Sequence, residues 1–104
     1  MKKGGSICKN SAVLKTALIR LTQIMALEFA PYGVRANAIC PGVTETEILG
    51  TVAPEQMEQL KIAIPMGRLG QPEEIAAASV FMLSDDASYM TGQAIAVDGG
   101  YTVM

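Results

Sequence analysis

The sequence predicts an α/β fold in which a short parallel sheet of two to three strands is covered by helices. Two apolar segments, 34–40 and 93–97, have the length and composition of buried strands. A helical segment at 72–84 lies between them. Parallel strands need a crossover connection, usually a helix, so this order indicates a βαβ unit. We expect the 104 residues to form a single domain.

The N-terminal part of the chain is predicted to contain one strand and one long helix. Residues 5–8 are short and partly apolar, which favours a strand. Residues 11–30 contain neither Pro nor Gly and are rich in helix-forming residues. Ser11 is of the type that favours a helix N-cap, while Pro31 and Gly33 mark the end of the helix.

Two prolines mark the beginning of further helices. The fixed φ of proline suits the first helical position, where its missing N–H is not needed. Pro54 therefore predicts a short helix at 54–61, and Pro72 predicts the helix at 72–84. Two glutamates directly after Pro72 complement the positive end of that helix dipole.

The predicted helix 11–30 has a very wide apolar surface. Thr16, Arg20 and Gln23 share one narrow polar stripe when the helix is projected at about 100° per residue. Apolar residues cover most of the remaining circumference: Ala17, Leu18, Leu21, Ile24, Met25 and Phe29. One sheet face cannot bury so wide an arc. The helix is either sandwiched within the domain or in contact with another chain, and we favour the second alternative.

Composition excludes several classes of function. Half of the residues are apolar, 17% are charged and the net charge is −2, as is typical of a globular chain. There is no basic surplus to bind nucleic acid or an anionic membrane. No segment reaches the roughly 20 apolar residues of a membrane helix, and no apolar signal-peptide region follows Lys2 and Lys3. We therefore expect a cytoplasmic protein.

The chain contains no histidine, which excludes histidine bases, histidine-containing triads and histidine-containing metal sites. Cys8 and Cys40 are too few for a metal framework, and we predict no metal site. We expect both to be buried free thiols, although a disulfide between them stays open.

Four segments resemble the short-chain dehydrogenase/reductase family, in their order and spacing along the chain. They are KTALIRLT at 15–22, RANAICPG at 35–42, PMGRLGQPEE at 65–74 and TGQAIAVDGG at 91–100. The chain is similar to 3-oxoacyl-(acyl-carrier-protein) reductase-like or glucose dehydrogenase-like members. The resemblance implies a truncated Rossmann-like fold, with the chain forming the C-terminal part of the family's domain.

The resemblance also implies which catalytic residues to expect. In the family, a tyrosine is the general acid/base for hydride transfer at a carbonyl or alcohol. A lysine four residues later lowers the tyrosine pKa and binds the nicotinamide ribose. Lys15 matches the lysine, but Ser11 stands at the tyrosine position. An alcohol is a far weaker acid than a phenol, whose pKa is about 10, so Ser11 is not expected to replace it. Ser6 precedes the family's other catalytic position, a serine, and does not match it.

Part of the family's cofactor site is present by resemblance. Lys15 would contact the ribose, backbone groups of the turn would contact the carboxamide, and Thr46 would reach the carboxamide or pyrophosphate. The turn residues are Pro41, Gly42, Val43 and Thr44. The alternative is an ordinary strand-ending turn. The glycine-rich phosphate fingerprint G-x-x-x-G-x-G does not occur in these 104 residues. The implied cofactor is NAD or NADP, bound weakly or not at all by this chain alone.

Two functions follow as expectations. The first is an NAD(P)-dependent oxidoreductase that is inactive as this chain alone and needs the missing half of the site from another chain. The second is a non-catalytic module that associates with itself or with a partner. In both cases we expect a homo-oligomer formed through the helix 11–30 and the C-terminal strand.

Overall fold

The structure is a computed structural model that describes residues 2–46 and 50–103, with side chains described from Ala12 onward. Three helices and two strands follow one another as α1 (Lys2–Phe29), β1 (Ala38–Pro41), α2 (Pro54–Ala63), α3 (Pro72–Leu83) and β2 (Ala94–Val97). Short 3₁₀ turns occupy Ala30–Tyr32, Asp85–Ala87 and Tyr101–Val103. The chain divides into two compact units, residues 1–38 with 88–94 and residues 39–87 with 95–104.

The strands β1 and β2 pair in parallel, which confirms the predicted fold class. The Ala38 N–H donates to the Gln93 carbonyl at 2.8 Å, and the Gly42 N–H donates to the Val97 carbonyl at 2.9 Å. The described residues contain these two strands and one isolated parallel bridge. The observed β1 begins four residues later than the predicted strand 34–40. Before Ala38, the Arg35 and Asn37 side chains donate to the Met90 carbonyl, and the Ala36 carbonyl accepts from the Gly92 N–H at 2.7 Å.

Those contacts build the unit formed by residues 1–38 and 88–94. The Arg35 guanidinium and the Asn37 side-chain amide both donate to the Met90 carbonyl, at 3.1 and 3.0 Å. Asn37 also accepts from the Gln93 N–H at 3.0 Å. Together they hold the 90–93 turn in place. Gly92, at a φ of 75°, lies against α1, where a Cβ atom would be 3.3 Å from the Cβ of Ala26.

Two predictions at the N-terminus are wrong. Residues 5–8 belong to α1 and not to a strand, and Ser11 lies inside α1 and not at its N-cap. A strand this short needs a neighbouring strand to bond its backbone groups, whereas a helix satisfies them locally. The side chains of Ser6, Cys8 and Ser11 lie outside the described residues. The predicted helix end is confirmed, because Gly33 adopts a left-handed φ of 74° after the 3₁₀ turn.

The helix α1 exposes much of its apolar surface. Only Thr22 and Ala26 are buried among its described side chains. A stripe along the helix consists of exposed apolar residues, which we call the apolar stripe: Leu14, Leu18, Leu21, Met25 and Phe29. Leu14 is 70% exposed, and Leu18 and Leu21 are just over half exposed. The described part of the chain therefore does not enclose this helix. In the described residues, no helix is long and apolar enough to cross a membrane.

The second unit, residues 39–87 and 95–104, contains α2 and α3 where the prolines predict them. Pro54 and Pro72 occupy the first turns of these helices. Its buried apolar residues are few: Cys40, Ile64, Leu69, Met82 and Ala87. Cys40 is a free buried thiol, as expected. The single-domain organisation stays a prediction.

Candidate functional site: the loop after the first strand

The residues after β1 form a loop, 41–46, at the carboxyl end of the parallel pair. Ligands of open α/β sheets bind at this end of the strands. Gly42 is the point of closest approach to the neighbouring strand end. A Cβ atom built on it would lie 2.6 Å from the Cβ of Asp98 and 2.7 Å from its Cα. Only glycine fits here without a shift of the backbone, so the loop starts from a fixed position.

A second contact fixes the middle of the loop. Thr44 and Gly70 form an isolated parallel bridge. The Gly70 N–H donates to the Val43 carbonyl at 3.0 Å, and the Glu45 N–H donates to the Gly70 carbonyl at 2.8 Å. The Thr44 hydroxyl donates to the Gly42 carbonyl at 3.1 Å. The bridge therefore ties the loop to the segment before α3.

Four polar side chains beside this bridge form what we call the loop-support cluster: Glu45, Arg68, Gln71 and Glu74. The Arg68 guanidinium makes a bidentate contact with the Glu74 carboxylate, at 2.7 and 3.0 Å. The same carboxylate accepts from the Gln71 backbone N–H at 3.0 Å. The Gln71 side-chain amide donates to the Glu45 carboxylate at 2.7 Å. A continuous series of hydrogen bonds thus runs from the start of α3 to the loop.

The electrostatics of the cluster favour a charged Glu74. Its hydrogen bonds with the Arg68 guanidinium and with the Gln71 N–H lower the pKa of its carboxyl from 4.5 to about 2. The contact with Glu74 in turn raises the pKa of Arg68. Both side chains are about half exposed, so the pair contributes little to global stability. Its effect is on local geometry.

Asp98, directly after β2, supports the site. Its carboxylate accepts from the backbone N–H groups of Gly100 at 3.0 Å and Thr102 at 3.1 Å. This fixes the turn that follows the strand. The Met66 N–H donates to the Gly99 carbonyl at 3.1 Å, which anchors the 64–71 segment to the same turn. Asp98 is therefore structural in this unit.

Thr46, at the end of the loop, faces a cleft of about 310 Å³. The cleft is lined by polar and apolar groups, among them Glu45, Met57, Lys61 and Gln71. The Thr46 hydroxyl makes no hydrogen bond with any other residue that the structure describes. A hydroxyl and backbone amide groups are the donors and acceptors that a carboxamide needs. The residues present therefore fit the nicotinamide side of a dinucleotide.

Comparison with known proteins identifies the chain's ancestry. A family model described as enoyl-(acyl carrier protein) reductase matches residues 2–102. The chain is 46% identical to an NAD-dependent glycerol dehydrogenase of Listeria innocua, over 86% of this chain and 35% of that protein. It is 50% identical to a galactitol 2-dehydrogenase (L-tagatose-forming) of Cereibacter sphaeroides, over 86% of this chain and 36% of that protein. The chain belongs to the short-chain dehydrogenase/reductase family.

Solved structures agree with this assignment. The crystal structure of the 3-oxoacyl-[acyl-carrier protein] reductase of Brucella melitensis matches with a TM-score of 0.83 and 41% identity. The match covers 86% of this chain and 34% of that one. The chain therefore spans about a third of the length of the short-chain dehydrogenases and reductases that it matches.

The structure brings together most of the cofactor residues that the sequence predicts. Gly42, Val43 and Thr44 are half-buried in one loop, with Pro41 and Thr46 exposed at its ends. Lys15 is exposed on α1, in the other unit, and its contact with the ribose stays a prediction. No group of three or more His, Cys, Asp or Glu side chains able to hold a metal ion occurs among the described residues.

Sequence reasoning missed the residues that hold the loop. Gln71 and Glu74 belong to the segment 65–74, for which the sequence predicts only a loop and the beginning of a helix. Asp98 belongs to a motif assigned only to the end of a strand. The sequence does contain a signal for the close contact at Gly42, because a glycine next to a strand end indicates that another backbone segment approaches it closely. No sequence signal identifies Asp98 as the residue that approaches.

Proposed function

We propose that the 41–46 loop is the nicotinamide side of an NAD(P) site, in an oxidoreductase that transfers hydride at a carbonyl or alcohol. The observation that carries this proposal is a loop fixed by Gly42, the Gly70 bridge and the loop-support cluster, with Thr46 lining a cleft. Membership of the short-chain dehydrogenase/reductase family supports it. So do relatives named as an NAD-dependent glycerol dehydrogenase and a 3-oxoacyl-[acyl-carrier-protein] reductase.

Each loop residue has a role in this proposal. Backbone groups of Pro41, Gly42, Val43 and Thr44 contact the carboxamide, and Thr46 donates or accepts through its hydroxyl. Lys15 contacts the ribose through its ammonium group. The cofactor, when bound, supplies or accepts the hydride. The loop residues orient the nicotinamide ring and take no part in proton transfer.

We propose further that this chain alone does not catalyse the reaction. Ser11 stands at the position of the family's tyrosine, and an alcohol does not supply the proton that a phenol supplies. The 104 residues also lack the glycine-rich phosphate fingerprint. Catalysis therefore requires the phosphate-binding half and a proton donor from elsewhere, in a longer chain or in a second one.

A half-cofactor tests the loop directly. Reduced nicotinamide mononucleotide contains only the part of NADH that the loop is proposed to contact. Titrated into the full chain, it should shift the NMR signals of the Val43, Thr44 and Glu45 amides, with a Kd of about 1 mM, equivalent to about −4 kcal/mol. AMP, the other half of NADH, should leave them unchanged.

Matched variants complete this test. Thr46→Val removes the hydroxyl while keeping the shape, and should weaken binding about twofold to tenfold, as expected for one hydrogen bond. Thr102→Val makes the same change outside the loop and should have no effect. Loop signals that do not respond to the mononucleotide, or that respond equally to AMP, would contradict the proposal.

A second function is favoured by α1. The apolar stripe leaves five large side chains between 39% and 70% exposed along one face of the helix. Exposed apolar patches of this kind mark interaction surfaces. Under this alternative the chain is a non-catalytic module that forms a homo-oligomer through the stripe and through β2, whose outer backbone edge pairs with no further strand among the described residues.

Sedimentation velocity with NADH separates the two functions. An oligomer that carries NADH absorbance favours the oxidoreductase, while an oligomer without it favours the module. Leu18→Glu or Leu21→Glu places a charge in the apolar stripe and should dissociate the oligomer. Ile62→Glu, at an 81% exposed position of α2, is the control and should not. A Leu18→Glu chain that stays fully associated excludes the stripe as the interface.

A further inference from the structure

The hydrogen bonds of the loop-support cluster suggest a role beyond capping α3. Glu74 is bonded on one side to Arg68 and on the other to the Gln71 backbone. The Gln71 side chain continues the series to Glu45, which lies next to Thr46 in the loop. Glu73, in the same first turn of α3, has no bond to the loop within the described residues. The series therefore reaches the loop through one residue of the helix start, Gln71.

We propose that Gln71 and Glu74 are positioning residues for the 41–46 loop. Glu74 fixes the backbone of Gln71, and the Gln71 amide then holds Glu45 so that the bridge to Gly70 stays closed. This inference rests on the proposed function, since the loop it positions is the proposed nicotinamide side of the site. Neither residue contacts the reacting atoms.

The charges explain why position 71 must supply the donor and Glu45 the acceptor of this hydrogen bond. Glu45 is an anion, and the neutral Gln71 amide donates to it, which is a charge-assisted hydrogen bond at 2.7 Å. A carboxylate at position 71 would face the Glu45 carboxylate at the same distance and repel it. The Glu45 N–H, which donates to the Gly70 carbonyl at 2.8 Å, would then open more often. Its hydrogen exchange reports that opening.

Exchange at single amides tests the inference without any cofactor. In the full chain, Gln71→Glu should speed exchange of the Glu45 amide about threefold to tenfold, the range expected for losing one hydrogen bond. The Gly42 amide, bonded to Val97 at 2.9 Å, is the internal reference and should change less than about twofold. The control variant Glu73→Gln removes a charge from the same helix start and should leave the Glu45 amide unchanged.

Exchanging the two side chains should restore slow hydrogen exchange at position 45. In the double variant Glu45→Gln with Gln71→Glu, the donor and the acceptor exchange places and the hydrogen bond can form again. The exchange rate at position 45 should return to within about twofold of the original rate, which a merely structural loss would not do. An unchanged rate in Gln71→Glu would overturn the inference. So would an equal rise at Gly42, or a double variant that is not restored.

Failure of the inference and failure of the proposed function are distinguishable. If reduced nicotinamide mononucleotide binds but Gln71→Glu changes neither loop exchange nor its Kd, the loop is a cofactor site that Gln71 does not position. If the mononucleotide does not bind while exchange follows the expected pattern, Gln71 positions a loop that has another role.

Discussion

Replacing Gly42 with alanine tests the close approach on which the site depends. The new Cβ would lie 2.6 Å from the Cβ of Asp98 and 2.7 Å from its Cα. The second of these atoms belongs to the backbone of the neighbouring strand end. No side-chain rotation relieves that contact, so one strand end must move.

The magnitude follows from the required movement. Favourable carbon–carbon contact begins at about 3.5 Å, so the strand ends would have to separate by about 0.9 Å. Such overpacking costs about 1–3 kcal/mol. The shift also stretches the 2.9 Å hydrogen bond from the Gly42 N–H to the Val97 carbonyl, worth about 1 kcal/mol. Alanine also lowers the conformational entropy of the unfolded chain, which offsets about 0.4–1 kcal/mol of the loss in stability. The net loss should be about 1–4 kcal/mol in the free energy of unfolding.

Urea denaturation measures this loss, with Gly70→Ala as the matched control. Gly70 belongs to the same site, but a Cβ there would meet the Val43 carbonyl oxygen at 3.8 Å, an ordinary contact. We expect Gly70→Ala to change the free energy of unfolding by less than about 0.5 kcal/mol. A Gly42→Ala chain as stable as Gly70→Ala would refute the argument that this approach fixes the loop.

Two further predictions concern catalysis and acid stability. Ser11→Tyr, one helical turn before Lys15, should produce no NADH oxidation with carbonyl substrates, because the phosphate-binding half is still absent; cofactor-dependent turnover would overturn this. Glu74 has a pKa lowered from 4.5 to about 2, so its stabilising contribution is complete above about pH 4.5 and is lost as the pH falls towards 2. Because the half-exposed pair contributes little to global stability, NMR titration of the Glu74 carboxyl is the measurement: a midpoint near pH 2 is expected, and a midpoint near pH 4.5 would contradict the ion pair with Arg68.

Local signals in the sequence predict the C-terminal elements well. Pro54 and Pro72 start their helices as predicted, because the proline φ and missing N–H are properties of the residue itself. Gly33 ends the 3₁₀ turn after α1 for the same kind of reason, since its left-handed φ is accessible to glycine. The apolar strands 34–40 and 93–97 are predicted at the right places. The first strand begins four residues later than predicted, and the other strand ends agree with the prediction within one residue.

The N-terminal prediction fails because a strand depends on its neighbours. Residues 5–8 have no intrinsic helix signal, and two glycines precede Ser6. In the structure the backbone there continues α1. Ser11 loses its predicted N-cap role as a result, because an N-cap exists only where a helix begins. Whether residues 5–8 form a strand or a helix is thus decided by which hydrogen-bond partners are available, which the local sequence does not specify.

The sequence by itself determined the family, the α/β class and the residues of the loop, because motifs and proline or glycine positions are local. It also determined what is absent from these residues: histidine, the tyrosine four residues before Lys15 and the phosphate fingerprint. Only the tertiary structure decided how the loop is held. The approach of Gly42 to Asp98 and the hydrogen bond from Gln71 to Glu45 join residues that are 56 and 26 positions apart. Such pairs are selected by chain folding, and no periodicity or spacing in the sequence records them.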